Sequence, residues 1–341
     1  NLFLQVGDLF DTPDPRNLER QFVAEQLAGL RDAGIACIGI GGNHDTPRSR
    51  GDRPAATPMS PYASLGGLRL LEGQGTVDSE LLELEGMRVA VGGLEPDPTA
   101  QPGSDPLDGV DWAPDADFSL LLVHGSPEGH IYPDAPEAIL RRQTVDRLHG
   151  IDCILAGHVH RHAVFHWGST TVIVPGATER MTFADLEERP GFVYMELERH
   201  HIARIDHLPV QAQPRRTLLI PTSELADSGI AEQVMGMMEG VCAPDALVRV
   251  TLAGPITRQR YHDLHLRDLA EFGAARCFFL DLDTTGLFLE DEAKLTIFRG
   301  GRLSQREELI RFARESRDAA TTDEERSLVD DALIAILEEY S

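Results

Sequence analysis

"LLVHGSPEGH" at Leu121–His130 and "IDCILAGHVHRH" at Ile151–His162 decide how this chain is read. Each is an apolar run that stops on imidazoles: His124 after the first, His158 and His160 after the second. A strand buried in a sheet normally ends in turn residues. Histidines at that point put ligands on the rim of a sheet. Two further junctions have the same form. "LFLQVGDLFD" closes its apolar run on Gly7-Asp8, and "IACIGIGGNHD" closes on Gly42-Asn43-His44-Asp45. Side chains at the carboxyl ends of neighbouring strands meet in one crevice. One carboxylate, one amide oxygen and three imidazoles suit a hard or borderline divalent ion such as manganese, iron or zinc. With no thiolate in the set, a structural zinc site is disfavoured. The glycines before these residues let the backbone turn beside an ion.

Outward from these junctions the first two-thirds of the chain alternates apolar runs with amphipathic stretches, an α/β pattern. "DPRNLERQFVAEQLAGLRDAG" reads as a helix capped by Asp14, with Pro15 in its first turn and Gly34 at its end. Its apolar positions are Leu18, Phe22, Val23, Leu27 and Leu30. "TTVIVPGATER" predicts a strand, and "RPGFVYMELERHHIARIDHLPV" predicts a hairpin. Two Pro/Gly/Asp-rich stretches, Thr46–Pro61 and Glu95–Asp117, are expected to be loops. "PVQAQPRR" is a linker, after which a β-α-β-α-β unit follows, with "PITRQRYHDLHLRDLAEFG" as its second helix. The end of the chain is helical. Ser304 with Glu307, and Thr322 with Glu325, form capping boxes, and the last helix carries an apolar stripe from Leu328 to Tyr340. The expected domains are residues 1–210, 211–290 and 291–341.

At 341 residues the chain is long enough for two domains. Its formal charge of −25, from 56 acids and 31 bases, argues against a general polyanion-binding surface. It does not exclude a nucleic-acid enzyme whose site holds cations, because bound metals reverse the local sign. Cys37, Cys153, Cys242 and Cys277 lie far apart in or beside apolar sequence. They are expected to be buried free thiols in a reducing, cytoplasmic setting. No apolar run is long enough for a membrane span.

The order GD, GNHD, lone His, GHxH resembles the calcineurin-like metallophosphoesterases in full. "GDLFD" at Gly7–Asp11 and "PGATERMTFADLEERPGFVYMEL" at Pro175–Leu197 are similar to the SbcD / meiotic-recombination-eleven nucleases, with a YhaO-like branch as the alternative. The resemblance covers residues 1 to about 210. It implies an α/β metallophosphoesterase β-sandwich flanked by helices, then a small α/β capping domain and a helical C-terminal segment. It further implies two divalent ions, manganese first among them. Asp8 would bridge them, Asn43, His124 and His158 would complete one shell, and His160 would bind the other ion. His44 would face the scissile phosphate as the catalytic residue. Asp11 and Asp45 are expected to orient neighbours rather than bind metal. The family's first motif, Asp-x-His on an opening strand, is absent from residues 1–341, and a strand carrying it is expected upstream of Asn1.

The implied function is a DNA exonuclease/endonuclease of double-strand-break repair. Its expected partners are DNA, an SbcC-type coiled-coil ATPase docked through Leu328–Tyr340 and a second copy of the chain. The dimer contacts would use Leu18–Leu30 and Met59–Leu71. A small-substrate phosphodiesterase and a non-catalytic scaffold for an ATPase are the alternatives. The cluster Arg258, Arg260, His262, His265 and Arg267 reads as a solvated helix face before it reads as a nucleic-acid contact.

Overall fold

The computed structural model describes residues 1–46, 57–97, 99–131, 138–183, 189–289, 305–320 and 322–339. The chain divides into two units, Asn1–Glu179 with Glu188–Gln211, and Arg180–Glu187 with Ala212–Ser341. The architecture is mixed α/β, with one central mixed sheet, several small sheets and helices towards the C-terminal end.

In the first unit, β1 (Leu2–Val6), β2 (Ala36–Ile40) and β3 (Arg69–Leu70) make a parallel sheet in that order. Next along the chain come β4 (Asp78–Leu84), β5 (Met87–Leu94) and β6 (Phe118–His124). A short pair follows, β7 (Ser126–Pro127) with β8 (Ile139–Leu140). Then come β9 (Cys153–Gly157), β10 (Ala163–Trp167) and β11 (Thr170–Val174). The central sheet runs β10-β11-β9-β6-β5-β4. Strands β5, β6, β9 and β11 are mutually parallel, and the edges β4 and β10 are antiparallel to their neighbours. All seven residues of β6 are buried, as a continuous apolar run demands of a strand covered on both faces. Leu120, Leu121 and Leu122 are each fully buried, worth about 1.5–3 kcal/mol apiece in apolar transfer.

One core lies between the two sheets. Ile38 and Ile40 of β2 meet Val89, Val91, Leu120, Leu122 and Leu155 there, with Leu2, Leu4 and Val6 at its margin. The hairpin β12 (Gly191–Glu198) and β13 (His201–Pro209) adds Val193, Met195 and Ile205 to the same core. A second core on the far face of the central sheet holds Leu121, Val123, Ile154 and Val172. It takes in Leu107, which anchors the Pro-rich stretch Glu95–Asp117, and Val145 of α3 (Arg142–Val145).

Helices α1 (Asn17–Asp32) and α2 (Ser60–Ser64) border a third cluster with Leu27, Tyr62 and Leu70. The start of α1 differs from expectation. Arg16 is its N-cap, locked by Glu19, whose carboxylate accepts from the Arg16 N–H at 2.8 Å and the Arg16 Nε at 2.7 Å. Asp14 stands outside the helix and pairs with Arg20. Of the apolar positions, Leu27 is buried, whereas Leu18 and Phe22 are 74% and 62% exposed.

The hairpin β4–β5 was not among the expected strands. β4 is half-buried on one face only, so its apolar content is thin. Its signal is the Glu85-Gly86 turn, where both residues take positive φ (52° and 79°), the geometry of a two-residue hairpin.

In the second unit, β14 (Arg215–Pro221), β15 (Leu247–Ile256) and β16 (Phe279–Leu289) form a parallel sheet in that order. The connections are α4 (Ile230–Glu239), then α5 (Arg258–Asp263) and α6 (Leu266–Ala274). The second connection is two helices, not the single one expected. The chain breaks at His265 (φ 46°), which lets Leu264 and Leu269 both reach full burial in the same core. Arg260 does not join a basic face: its Nη2 donates to the carbonyls of Thr222 and Leu225. The helices α7 (Gln305–Ala319) and α8 (Asp323–Glu339) close the unit. Thr322 and Glu325 form the expected reciprocal cap, whereas Ser304 and Tyr340 lie outside the described residues. Leu333 and Leu337 pack with Ala253, Phe288 and Ile310, while Leu328 is exposed. Among the described residues no helix is long and apolar enough to cross a membrane.

Candidate metal centre

The two larger sheets of the first unit deliver side chains to one place. β1 and β2 end at Gly7-Asp8 and at Gly41–Asp45, while β6 and β9 end at His124 and at Gly157-His158. The junction between the layers is a hydrogen bond. His124 Nδ1 donates to the Val6 carbonyl at 2.8 Å. That bond fixes the tautomer and leaves the lone pair of the neutral ring on Nε2.

Nε2 of His124 lies 2.9 Å from Asn43 Oδ1 and 3.2 Å from Asp8 Oδ2. Asn43 Oδ1 is also 2.9 Å from His158 Nδ1. The ligand atoms of Asp8, His124 and His158 all lie within 4.8 Å of one another. A ring nitrogen lone pair aimed at two oxygens is repulsive unless a cation sits among them. Ligands bound at about 2.1 Å to one octahedral ion sit about 3.0 Å apart in neighbouring positions, which matches these separations. The donor set fits a divalent ion.

The backbone at this point is strained in the way functional sites often are. Asp8 (φ 55°) and His158 (φ 82°) are two of the few non-glycine residues in the left-handed region. Asp8 uses both oxygens, with Oδ1 accepting the His44 N–H at 2.9 Å.

Asp45 is fully buried and takes no place among the donors. Its Oδ1 accepts from Gly42 N at 2.6 Å and its Oδ2 from Leu9 N at 2.8 Å, tying the β1 loop to the β2 loop. Burial and then the nearby Asp8 charge lift its carboxyl, against the pull of the Gly42 and Leu9 amides. Asp45→Ala would leave two loop amides without their acceptor, at a cost of about 2–4 kcal/mol. A urea titration should show that loss, and a wild-type midpoint would remove Asp45 from this role.

His44 stands apart from the cluster on the exposed side. Its Nδ1 lies 3.2 Å from the Asp11 carbonyl and 3.1 Å from Asp11 Oδ1, and its side chain is 42% exposed. His160 is half-buried on the β9 loop and is not among the side chains gathered within 4.8 Å, although its carbonyl accepts the Ala177 N–H at 3.0 Å. The structure therefore brings together Asp8, Asn43, His124 and His158. It sets His44 beside them on Asp11 and leaves His160 outside. The Val6 carbonyl had no side-chain signal in the sequence.

Residues 1–162 match the model of the calcineurin-like phosphoesterases. Residues 1–162 belong to that family. The Asp/His cluster of this metallophosphoesterase domain falls wholly within the matched stretch. The chain is also 26% identical over 221 residues to the DNA double-strand break repair protein Mre11 of Methanopyrus kandleri. That match covers 60% of this chain and 47% of the relative, so the chain spans about half the length of that curated protein. A solved structure provisionally assigned as a 5′-nucleotidase of Staphylococcus aureus, in complex with α-ketoglutarate, is 13% identical. It covers 71% of this chain and 49% of its own, with a TM-score of 0.34.

Proposed function

We propose that the chain is a manganese-dependent phosphodiesterase that hydrolyses DNA backbone bonds, as exonuclease and endonuclease, in double-strand-break repair. The observation that carries the phosphodiesterase reading is the His124 Nε2 lone pair held against two oxygens by the Val6 carbonyl. The DNA part rests on the likeness to the archaeal repair protein. Asp8, Asn43, His124 and His158 would hold one ion, and Asp8 with His160 would take part in a second site. Bound divalent ions would supply Lewis acidity to the phosphoryl oxygens and lower the pKa of a water.

The chain's own residues do the rest. The Val6 carbonyl fixes the His124 ring and raises its basicity as a ligand. Asp45 holds the two carrier loops in register. His44 keeps Nδ1 on Asp11, which leaves Nε2 to exchange a proton with the leaving oxygen of a phosphodiester. Adjacent side chains diverge, so Asn43 serves the ion while His44 serves the substrate. The exposed Leu18, Phe22 and Leu65 support contact with a second copy through α1 and α2. A coiled-coil ATPase is the further partner, able to bring the positive surface that this acidic chain lacks.

The net charge of −25 favours a second reading, hydrolysis of small phosphodiesters without DNA. Activity with manganese on linear DNA and on bis-p-nitrophenyl phosphate separates the two. Turnover of the small ester alone would reject DNA as substrate. His44→Ala should lower turnover by about 10²–10⁴-fold with metal content unchanged. Cleavage at the wild-type rate would take His44 out of the mechanism.

A further inference from the structure

Outside the metal centre, one pair of reactive groups meets across the second unit. Cys242 follows the C-terminal end of α4, and Cys277 stands at the entry to β16. They are 35 positions apart in sequence, yet the Cys277 Sγ lies 2.9 Å from the Cys242 Sγ and donates to it. That is closer than two unbonded sulfurs ordinarily approach. The contact does not depend on wandering loops. The Cys242 N–H donates to the Met238 carbonyl at 2.9 Å, and the Cys277 N–H donates to the Gly273 carbonyl at 2.8 Å. Both main chains are therefore pinned to helix ends. Cys277 is 8% exposed, whereas Cys242 is half-buried, so an oxidant reaches Cys242 first. Arg216, which donates to the Val241 carbonyl, and Arg276 put two cations around Cys242. They favour an anionic oxidant.

We propose that Cys242 and Cys277 are a disulfide-forming pair, oxidised without rearrangement of the fold by a low-molecular-weight disulfide. The inference is independent of the phosphoesterase reading. The Cys242 thiolate attacks one sulfur of the oxidant, forming a mixed disulfide and releasing one thiolate. Cys277 then loses its proton and attacks the Cys242 sulfur. The Cys242–Cys277 bond forms and the second small thiolate leaves. The protein gives up two electrons, and the two thiol protons end on the two small thiols. The bridge closes a loop holding β15, α5 and α6, which restrains the unfolded chain. Burial lifts the Cys242 thiol to about 12, so thiolate is scarce at neutral pH.

The test uses the native full chain with excess oxidised glutathione. Titratable thiols should fall from four to two, and peptide mapping should join Cys242 to Cys277. The rate should rise about tenfold per pH unit from 7 to 9, because only the thiolate attacks. The oxidised protein should melt several degrees higher than the reduced one. In Cys277→Ser the loss should stop at one thiol, as a glutathione adduct on Cys242. Four thiols persisting in the native wild type, a bridge to Cys37 or Cys153, or a bridged form that melts lower would each overturn the proposal.

Discussion

Asp8→Asn is expected to lower turnover of bis-p-nitrophenyl phosphate in manganese by about a thousand-fold or more, and to cut metal retention with it. The substitution is close to isosteric and removes only charge and one lone-pair site. Asparagine tolerates the left-handed backbone of Asp8 (φ 55°) about as well as aspartate does, so the loop should keep its path. What changes is the electrostatics of the cluster. Oδ2 at 3.2 Å from His124 Nε2 is the only carboxylate oxygen in the set that holds His124 and His158. Without it, two imidazoles and an amide oxygen face a divalent ion with no formal negative charge among them. Losing a group that merely orients a ligand costs about 10–100-fold, and losing a ligand costs more. Metal per chain by elemental analysis, read beside turnover and a far-ultraviolet spectrum, checks the outcome. Wild-type metal content and rate in a folded Asp8→Asn protein would show that the cluster is not a metal centre.

Much of this centre was legible because strand ends are local signals. "GD", "GNHD" and "GHVH" each follow an apolar run, and the runs at β1, β2, β6 and β9 proved to be parallel strands whose carboxyl ends meet. Asp11 and Asp45 were also legible as orienting groups: Asp45, three residues after a glycine, takes two main-chain amides, and Asp11 meets the His44 ring. The illegible parts are those set by distance in sequence. The Val6 carbonyl is 118 positions from His124, and a main-chain oxygen leaves no trace in residue identity. Cys242 and Cys277 looked like separate buried thiols because their meeting needs the β15 crossover between them. The helix break at His265 was hidden because a continuous helical period describes "RQRYHDLHLRDLAEF" well. Only the shared core, which wants Leu264 and Leu269 together, forces the turn. At α1, Leu18 and Phe22 share the helical period with Leu27, yet their side of the helix faces solvent in this chain.

Gly157→Ala is expected to unfold part of that layered junction although it replaces no candidate ligand. Gly157 ends β9 and lies under the hydrogen bond that joins the two sheets. A methyl group there would collide with the Val6 carbonyl oxygen and come within 2.8 Å of His124 Nδ1. The Val6 atom is main chain in a paired strand, so it has no rotamer by which to withdraw. Either β1 shifts away from β9, or the His124 ring turns, and both break the 2.8 Å bond that fixes its tautomer. Overpacking of this kind costs about 1–3 kcal/mol, with the lost buried hydrogen bond adding about 1–3 kcal/mol. Metal affinity should fall about 10–100-fold, because the ring loses its orienting partner while the ring itself stays. Gly29→Ala provides the contrast. Gly29 lies on the exposed side of α1 with nothing within 4 Å of an added methyl, so alanine should stabilise by about 0.5–1 kcal/mol. Urea midpoints of the two variants should therefore move in opposite directions from the wild type. If Gly157→Ala keeps the wild-type midpoint and metal affinity, the sheets are not clasped at Val6 and His124, and the lone-pair argument for the ion loses its support.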